Sequence, residues 1–359
     1  MAQDAGADGG VAAWYSLVKG WSPSYPESTG YIIPTSLTYA GVMSQHEAKT
    51  RAIRMADWEV EVQLPFGAVR SGPLGLSVAP AVFNTGQVLF GWISAWQATG
   101  EERYAQAAHR AAEWLIREQD DDGAWRRNLS SFATSTIQVY NTRTAWGLAL
   151  AGQVLHERRW ITAARKNCDW ALTQQQPNGW FRNNGFTDGE APLLHTICYA
   201  LEGMLGVGEL LEDDRYIRSA ASGVDPLVDM YARSGGFRGR YDGGWQGTVA
   251  WRCLTGEAQL ALILLRLAKY GRNDGTRIRT ARALLEDLAT IQDTDSPYSV
   301  SRGGISGSEP VWGWYCRLAY PSWAAKFYVD ALLLCLFGAD VIWSRCPVPT
   351  DTVTSVSST

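Results

Sequence analysis

Long apolar runs are missing from this sequence of 359 residues: none is both long enough and free enough of charge to span a bilayer. Its first residues, MAQDAGADGG, lack the basic start and apolar stretch of a secretory signal, so a cytoplasmic location is expected. Histidine is scarce, with four in the chain, and the six cysteines form no CxxC pair. Most of these cysteines (Cys168, Cys198, Cys253, Cys316, Cys335, Cys346) fall within helical patterns, so buried, reduced thiols are expected, with no metal and no other cofactor. Charged residues make up 19% of the chain and the net charge is −4, which speaks against a general nucleic-acid binder. What is plentiful is hydrophobic residues, at 46%, including 17 tryptophans, the composition of a globular chain.

The tryptophans are not scattered. The stretch WLIREQDDDGAW at 114–125 has counterparts 56 residues upstream (WEVEVQLPFGAV) and 56 residues downstream (WALTQQQPNGWF). Trp58, Trp114 and Trp170 share one column, Gln63, Gln119 and Gln175 a second, and Gly67, Gly123 and Gly179 a third, which marks an internal repeat. A further column holds Thr29, Thr85, Thr142, Thr196, Thr255 and Ser322, each just ahead of an apolar run.

Each unit reads as two helices and a loop. The Thr or Ser is expected to offer its oxygen to free backbone N–H groups at the start of an inner helix that is apolar almost all round. The partner, as in EERYAQAAHRAAEWLIRE, is apolar on one side only and reads as an outer helix ending in the glycine turn. Outer helices are expected near 46–63, 102–118, 158–174, 213–232 and 276–292. The sixth inner helix, near 322–338, lacks a successor, and VAAWYSLVKG near the N-terminus is expected as a helix beside it. The fold class is then all-α, an (α/α)6 barrel of six helical hairpins, with residues 1–345 as one domain and 346–359 as a disordered tail. In the repeated turn the tryptophan anchors the outer helix. The glutamine bonds free backbone groups and ties adjacent units, the glycine permits the turn, and the DDD segment is solvated.

The segment RAAEWLIREQDDDGAW resembles the QW repeat of squalene-hopene-type terpenoid cyclases. The six-hairpin plan resembles those enzymes and also the α/α-barrel sugar enzymes: N-acylglucosamine 2-epimerases, unsaturated glucuronyl hydrolases and uronate polysaccharide lyases. This resemblance covers nearly the whole chain but is architectural, and such a fold hosts many chemistries. The terpenoid reading requires a DxDD acid motif, which is absent; the nearest segment, QDTDSPY with Asp293 and Asp295, reads as a turn. The zinc-bearing protein prenyltransferases need an Asp, Cys and His set, yet His46, His109 and His156 fall on or beside polar outer elements. The WCYG and CHG signatures of lanthionine cyclases are missing as well.

The sugar-enzyme reading uses the barrel rim, where glycine-turn loops meet the starts of inner helices and free N–H groups favour anions. Arg143, Arg182, Arg252 and Arg317 are expected to fork acidic groups, while Tyr25, Tyr140, Trp180, Trp251, Trp312 and Trp314 offer faces to sugar rings. Asn84 and Asn141, one residue before the Thr column, complete the expected substrate-binding set. His195 occupies the same column in the fourth unit, with Tyr199 four positions on and so on the same helical face. A uronate lyase or epimerase needs such a His or Tyr to remove the C5 proton. A glycosidase instead needs two carboxylates, and Glu27, Asp188 and Glu257 are the candidates, Glu257 because it interrupts an apolar inner helix.

The expected function is therefore a glycan-active enzyme whose partner is an acidic, uronate-containing oligo- or polysaccharide. A glycoside hydrolase ranks above a uronate lyase or epimerase because the rim holds more carboxylates than histidines. A terpenoid cyclase-like enzyme and a non-enzymatic glycan-binding barrel rank below these. Glu27, Arg143, His195, Tyr199 and Glu257 are expected to converge on one cavity at the helix-start end of the barrel.

Overall fold

A computed structural model describes residues 3–6, 8–76, 78–270 and 274–341. The expected tail at 346–359 and Cys346 lie outside these residues. Six inner helices alternate with outer ones: α1 (Pro26–Met43), α2 (His46–Val62), α3 (Val82–Thr99), α4 (Glu102–Glu118), α5 (Thr142–Val154), α6 (Arg158–Gln174), α7 (Leu194–Leu211), α8 (Asp214–Ser234), α9 (Leu254–Leu267), α10 (Asp274–Ile291) and α11 (Ser322–Phe337). Each odd-numbered helix packs on the next odd-numbered one, and α11 returns to α1, so the inner helices form a closed ring. The fold is an all-α (α/α)6 barrel.

The inner helices are buried almost all round because they face the barrel axis on one side and the outer helices on the other. Glycines set how closely they approach. A Cβ on Gly86 would lie 2.7 Å from the backbone of Thr144, and one on Gly203 would lie 2.3 Å from that of Thr142, so these positions let α3, α5 and α7 touch backbone to backbone.

The repeated turn behaves as its chemistry dictates. Gln63 Nε2 donates to the carbonyls of Gly67 (2.8 Å) and Ala107 (2.9 Å), and Gln119 Nε2 to those of Gly123 (3.0 Å) and Ala163 (2.9 Å). Gln175 repeats the pattern with Gly179 (3.1 Å) and Ser219 (2.9 Å). One amide thus closes its own turn and grips the neighbouring outer helix. Gly123 sits at φ +93 with its α-carbon against the next outer helix, where a Cβ would meet the Lys166 carbonyl oxygen at 2.3 Å. Trp58, Trp114 and Trp170 are buried.

Two expectations need correction. The Thr column does not cap its own helices: Thr29 is the fourth residue of α1, and its Oγ accepts from the Val11 N–H at 2.9 Å, while Thr85 Oγ accepts from Val69 at 3.0 Å. These hydroxyls pin the incoming loops to the helix instead. The N-terminal segment is no helix either. It forms β1 (Trp14–Ser16) and β2 (Gly20–Trp21), and β1 pairs antiparallel with β5 (Ala319–Pro321), directly ahead of α11. The aromatic side chains explain the preference: Trp14 meets Trp323 of α11 edge-on at 6.3 Å and Tyr15 meets its cross-strand partner Trp21 at 5.1 Å, contacts that a short helix between glycines would forgo. Among the described residues, α11 therefore has no outer partner. A second ribbon pairs β3 (Arg252–Cys253) with β4 (Ser308–Glu309).

The barrel ends differ. Short turns join most inner helices to their outer partners, whereas long loops lead from each outer helix to the next inner one. These loops, the N-terminal strands and the positive ends of the inner helices surround the same opening.

Candidate active site

The opening leads into a cavity of about 640 Å³. Three of its lining side chains lie two residues before the Thr column in units one to three: Glu27 in α1, Phe83 in α3 and Tyr140 in the short 3-10 turn Val139–Asn141 before α5. His195 and Tyr199 project from the first turns of α7, and Tyr315, Cys316 and Arg317 come from the last loop. Trp14, Phe132, Phe186, Trp314 and Trp323 add aromatic wall; Lys19 and Arg240 stand with Arg317 as its cations.

Glu27 is the one carboxylate lining this cavity among the described residues. Tyr25 donates its hydroxyl proton to Glu27 Oε2, and Asn84 Nδ2 donates in turn to the Tyr25 oxygen at 3.3 Å and to the Arg70 carbonyl at 3.1 Å. Burial pushes the Glu27 carboxyl up to about 7, against the opposing pull of Tyr25, the Arg143 charge and the Tyr199 hydroxyl. It therefore exchanges a proton near neutrality. His195 stands opposite in character: burial pushes its ring down to about 3, so it is neutral at ordinary pH. Its ring packs on Tyr199 (4.2 Å between centroids) and Tyr315 (5.6 Å).

Arg143 lies under this group and is fully buried. Its guanidinium faces the rings of Tyr199 at 5.2 Å and Phe327 at 5.3 Å, and its Nε donates to Glu202 Oε2 at 2.9 Å. It is therefore paired inside the barrel and acts on the cavity as a buried positive charge rather than as a fork for substrate. The Tyr140 hydroxyl and Asn84 Oδ1 are buried with no hydrogen-bond partner among the described residues. Such orphaned groups are uncommon in a packed interior and fit a site that a polar ligand completes.

The structure thus brings together Tyr25, Glu27, Tyr140, His195, Tyr199, Trp314 and Arg317 around one cavity, with Asn84 and Arg143 directly behind. Other expected site residues lie elsewhere. Glu257 is fully buried but turned away: Arg252 Nε donates to it at 3.0 Å, and the same guanidinium reaches Asp287 on α10. Its place in an apolar helix is explained by that ion pair. Asp188 and Trp180 line a separate, smaller pocket of about 320 Å³ in the loops after α6 and α8. Arg182 donates to the Thr173 carbonyl at 2.9 Å on the barrel exterior, and Trp251 packs against Gly239 and Gly313. Trp312 is exposed and absent from the cavity wall. Asn141 is buried, its Oδ1 accepting from Thr144 at 3.5 Å.

Reasoning from the repeats missed Trp14 and Lys19, because a helix was expected where β1 and its turn stand. It also missed Glu202, Gln87 and Gln259, buried polar residues in apolar inner helices. The signal that singled out Glu257 applied to each of them equally.

A family model described as the squalene-hopene cyclase C-terminal domain matches residues 29–204, slightly under half of the chain and the stretch holding the three Trp–Gln–Gly turns. No curated protein matches in sequence. Among solved structures, the unsaturated glucuronyl hydrolase from Bacillus sp. GL1 superposes with a TM-score of 0.74 over 93% of each chain, at 14% identity. Cellobiose 2-epimerase from Bacillus thermoamylovorans gives 0.69 over 90% of this chain and 92% of the other at 9% identity, and a D-mannose isomerase gives 0.69 over 92% of each at 13%. By fold, the chain is similar to these (α/α)6 barrels.

Proposed function

We propose that this chain is a glycan-active enzyme that cleaves an oligo- or polysaccharide bearing acidic sugars, with Glu27 as the proton donor. The observation that carries this reading is Glu27 itself, a carboxyl held near 7 at the floor of an aromatic cavity. A general acid works best when its pKa lies near the operating pH, and protonating a glycosidic oxygen is a task for such a group. Trp14, Phe132 and Trp314 offer flat faces of the kind sugar rings stack on. Arg317 and Lys19 have no acidic partner among the described residues, and the helix starts add positive potential, all of which favours a carboxylate-bearing substrate. Arg240, by contrast, is held by Glu190 at 2.9 Å.

The paired-carboxylate device of most glycosidases has only one member here among the described residues. Neutral His195 fills the accepting role. In hydrolysis it takes a proton from the attacking water while Glu27 protonates the departing oxygen. The same pair is the one available to a uronate lyase, with His195 taking the C5 proton and Glu27 again protonating the leaving group. The structural neighbours, named as sugar-acting enzymes, support a saccharide substrate.

A panel of acidic oligosaccharides, with the products read as reducing ends and as absorbance of unsaturated uronate, tests the proposal. Reducing ends alone identify a hydrolase, and reducing ends with rising absorbance a lyase. Turnover of an isoprenoid with no cleavage of any glycan would overturn the class.

A further inference from the structure

The barrel interior carries a chain of polar groups whose hydrogen-bond directions are all determined. Gln87 Nε2 donates to the Phe83 carbonyl at 3.3 Å, leaving its oxygen to accept from Arg143 Nη1. Arg143 can only donate, and it donates to Glu202 at 2.9 Å. Burial alone would push Glu202 up, but Arg143, Lys326 and Arg266 together hold its carboxyl below the ordinary range, so it is an ionised acceptor. Gln259, on α9, lies between this carboxylate and the His195 ring on α7. Its Nε2 donates to Glu202 Oε2 at 3.3 Å, which turns its Oε1 onto His195 Nδ1. An amide oxygen has no proton to give, so Nδ1 must carry one.

We infer that Gln259 and Glu202 are positioning residues that fix His195 as the Nδ1–H tautomer and leave Nε2 as a lone pair for the cavity. The inference deepens the glycan-cleaving reading, on which its catalytic meaning rests. A carboxylate at position 259 would hold Nδ1–H equally well but would raise the ring's basicity and set two acids side by side. The amide transmits the direction of the Arg143–Glu202 pair without charging the ring. His195 then accepts from substrate or water and cannot donate, and donation falls to Glu27 across the cavity. The two residues are thereby given opposite roles by their surroundings.

The test uses the full chain labelled with 15N-histidine. Only four histidines contribute, and His46, His109 and His156 are exposed, so a His46→Gln, His109→Gln, His156→Asn protein isolates the His195 signals. The expected spectrum has a protonated Nδ1 and an unprotonated Nε2, unchanged from pH 5 to 8. Glu202→Gln supplies an amide donor in place of the acceptor, which allows Gln259 to invert, and population of the Nε2–H tautomer is expected. Gln259→Met removes the constraint, and mixed tautomers are expected. With a cleaved oligosaccharide in hand, Gln259→Met lowers kcat by about tenfold or more with little change in KM, the range of a partly lost acid–base contribution. A protonated Nε2 in the otherwise wild-type protein, or an unaltered tautomer in both folded variants, overturns the inference. The spectra need no substrate, so a failure to find glycan cleavage would remove the catalytic reading and leave the positioning chain standing.

Discussion

Replacing Glu27 by glutamine removes a buried acid while keeping its shape, and the consequence for stability can be worked out from its surroundings. Burial raises this carboxyl from 4.5 to about 7. At about 1.4 kcal/mol per pH unit, that difference is worth about 3 kcal/mol between the fully protonated and fully ionised limits. The sign follows from the raised value. Between the two pKa values the folded protein holds a proton that the unfolded chain has released, so this stabilisation is complete below 4.5 and is lost as pH rises through about 7. His195, depressed from 6.5 to about 3, has the opposite slope, losing stability as pH falls below 6.5. That slope is common to both proteins and cancels in their difference. Urea unfolding of wild type and Glu27→Gln at half-unit steps from pH 4 to 8 measures the difference directly. Relative to the variant, the wild type is expected to lose about 3 kcal/mol over the range, with most of the change between 4.5 and 7. A flat difference would mean that Glu27 ionises as an ordinary carboxylate, and the argument for a neutral-pH proton donor would fail.

Three further outcomes follow from the packing. Trp114→Ala should lower stability by about 3–5 kcal/mol, the range for a large core aromatic, while turnover per folded molecule is kept; a normally melting but inactive protein would contradict the scaffold role. Gly123→Ala forces a Cβ onto a left-handed residue 2.3 Å from the Lys166 carbonyl oxygen and should cost more than the roughly 1–2 kcal/mol of the backbone conformation alone, read as a fall in Tm. Glu257→Gln should destabilise by about 1–3 kcal/mol, because Arg252 keeps Asp287 as a partner, and should leave kcat per folded molecule unchanged. A hundredfold loss of kcat there would return Glu257 to the site.

The barrel was legible because its signals are periodic and local. The Trp, Gln and Gly of each turn act within one unit and on the next, so their spacing survives in the sequence, and apolar periodicity separates inner from outer helices. The Thr column marked the right ends but not through capping, since the hydroxyls of Thr29 and Thr85 hold incoming loops and that of Thr142 bonds the neighbouring helix. The N-terminal strands were illegible because the partner of Trp14–Ser16, β5, lies some three hundred residues later, and no local pattern reports a pairing of that range. Glu27, Tyr25, Tyr140, His195 and Tyr199 share one cavity, as expected of helix starts arranged around a closed ring. Glu257 misled because a buried acid looks the same in sequence whether it faces the axis or an outer helix. The direction is set by its position on the helix relative to Arg252 and Asp287, which belong to a short strand and to the outer helix of the same hairpin.

The central claim, that Glu27 delivers a proton to an acidic glycan, is tested most directly by the pH dependence of kcat/KM on the oligosaccharide that the panel identifies. For wild type, kcat/KM is expected to fall above a pKa of about 7, as the free enzyme's acid ionises. In Glu27→Gln it should drop by about 10²-fold or more, the usual contribution of a positioned acid, and that alkaline limb should disappear. A variant that keeps wild-type kcat/KM with the same alkaline limb would contradict the account.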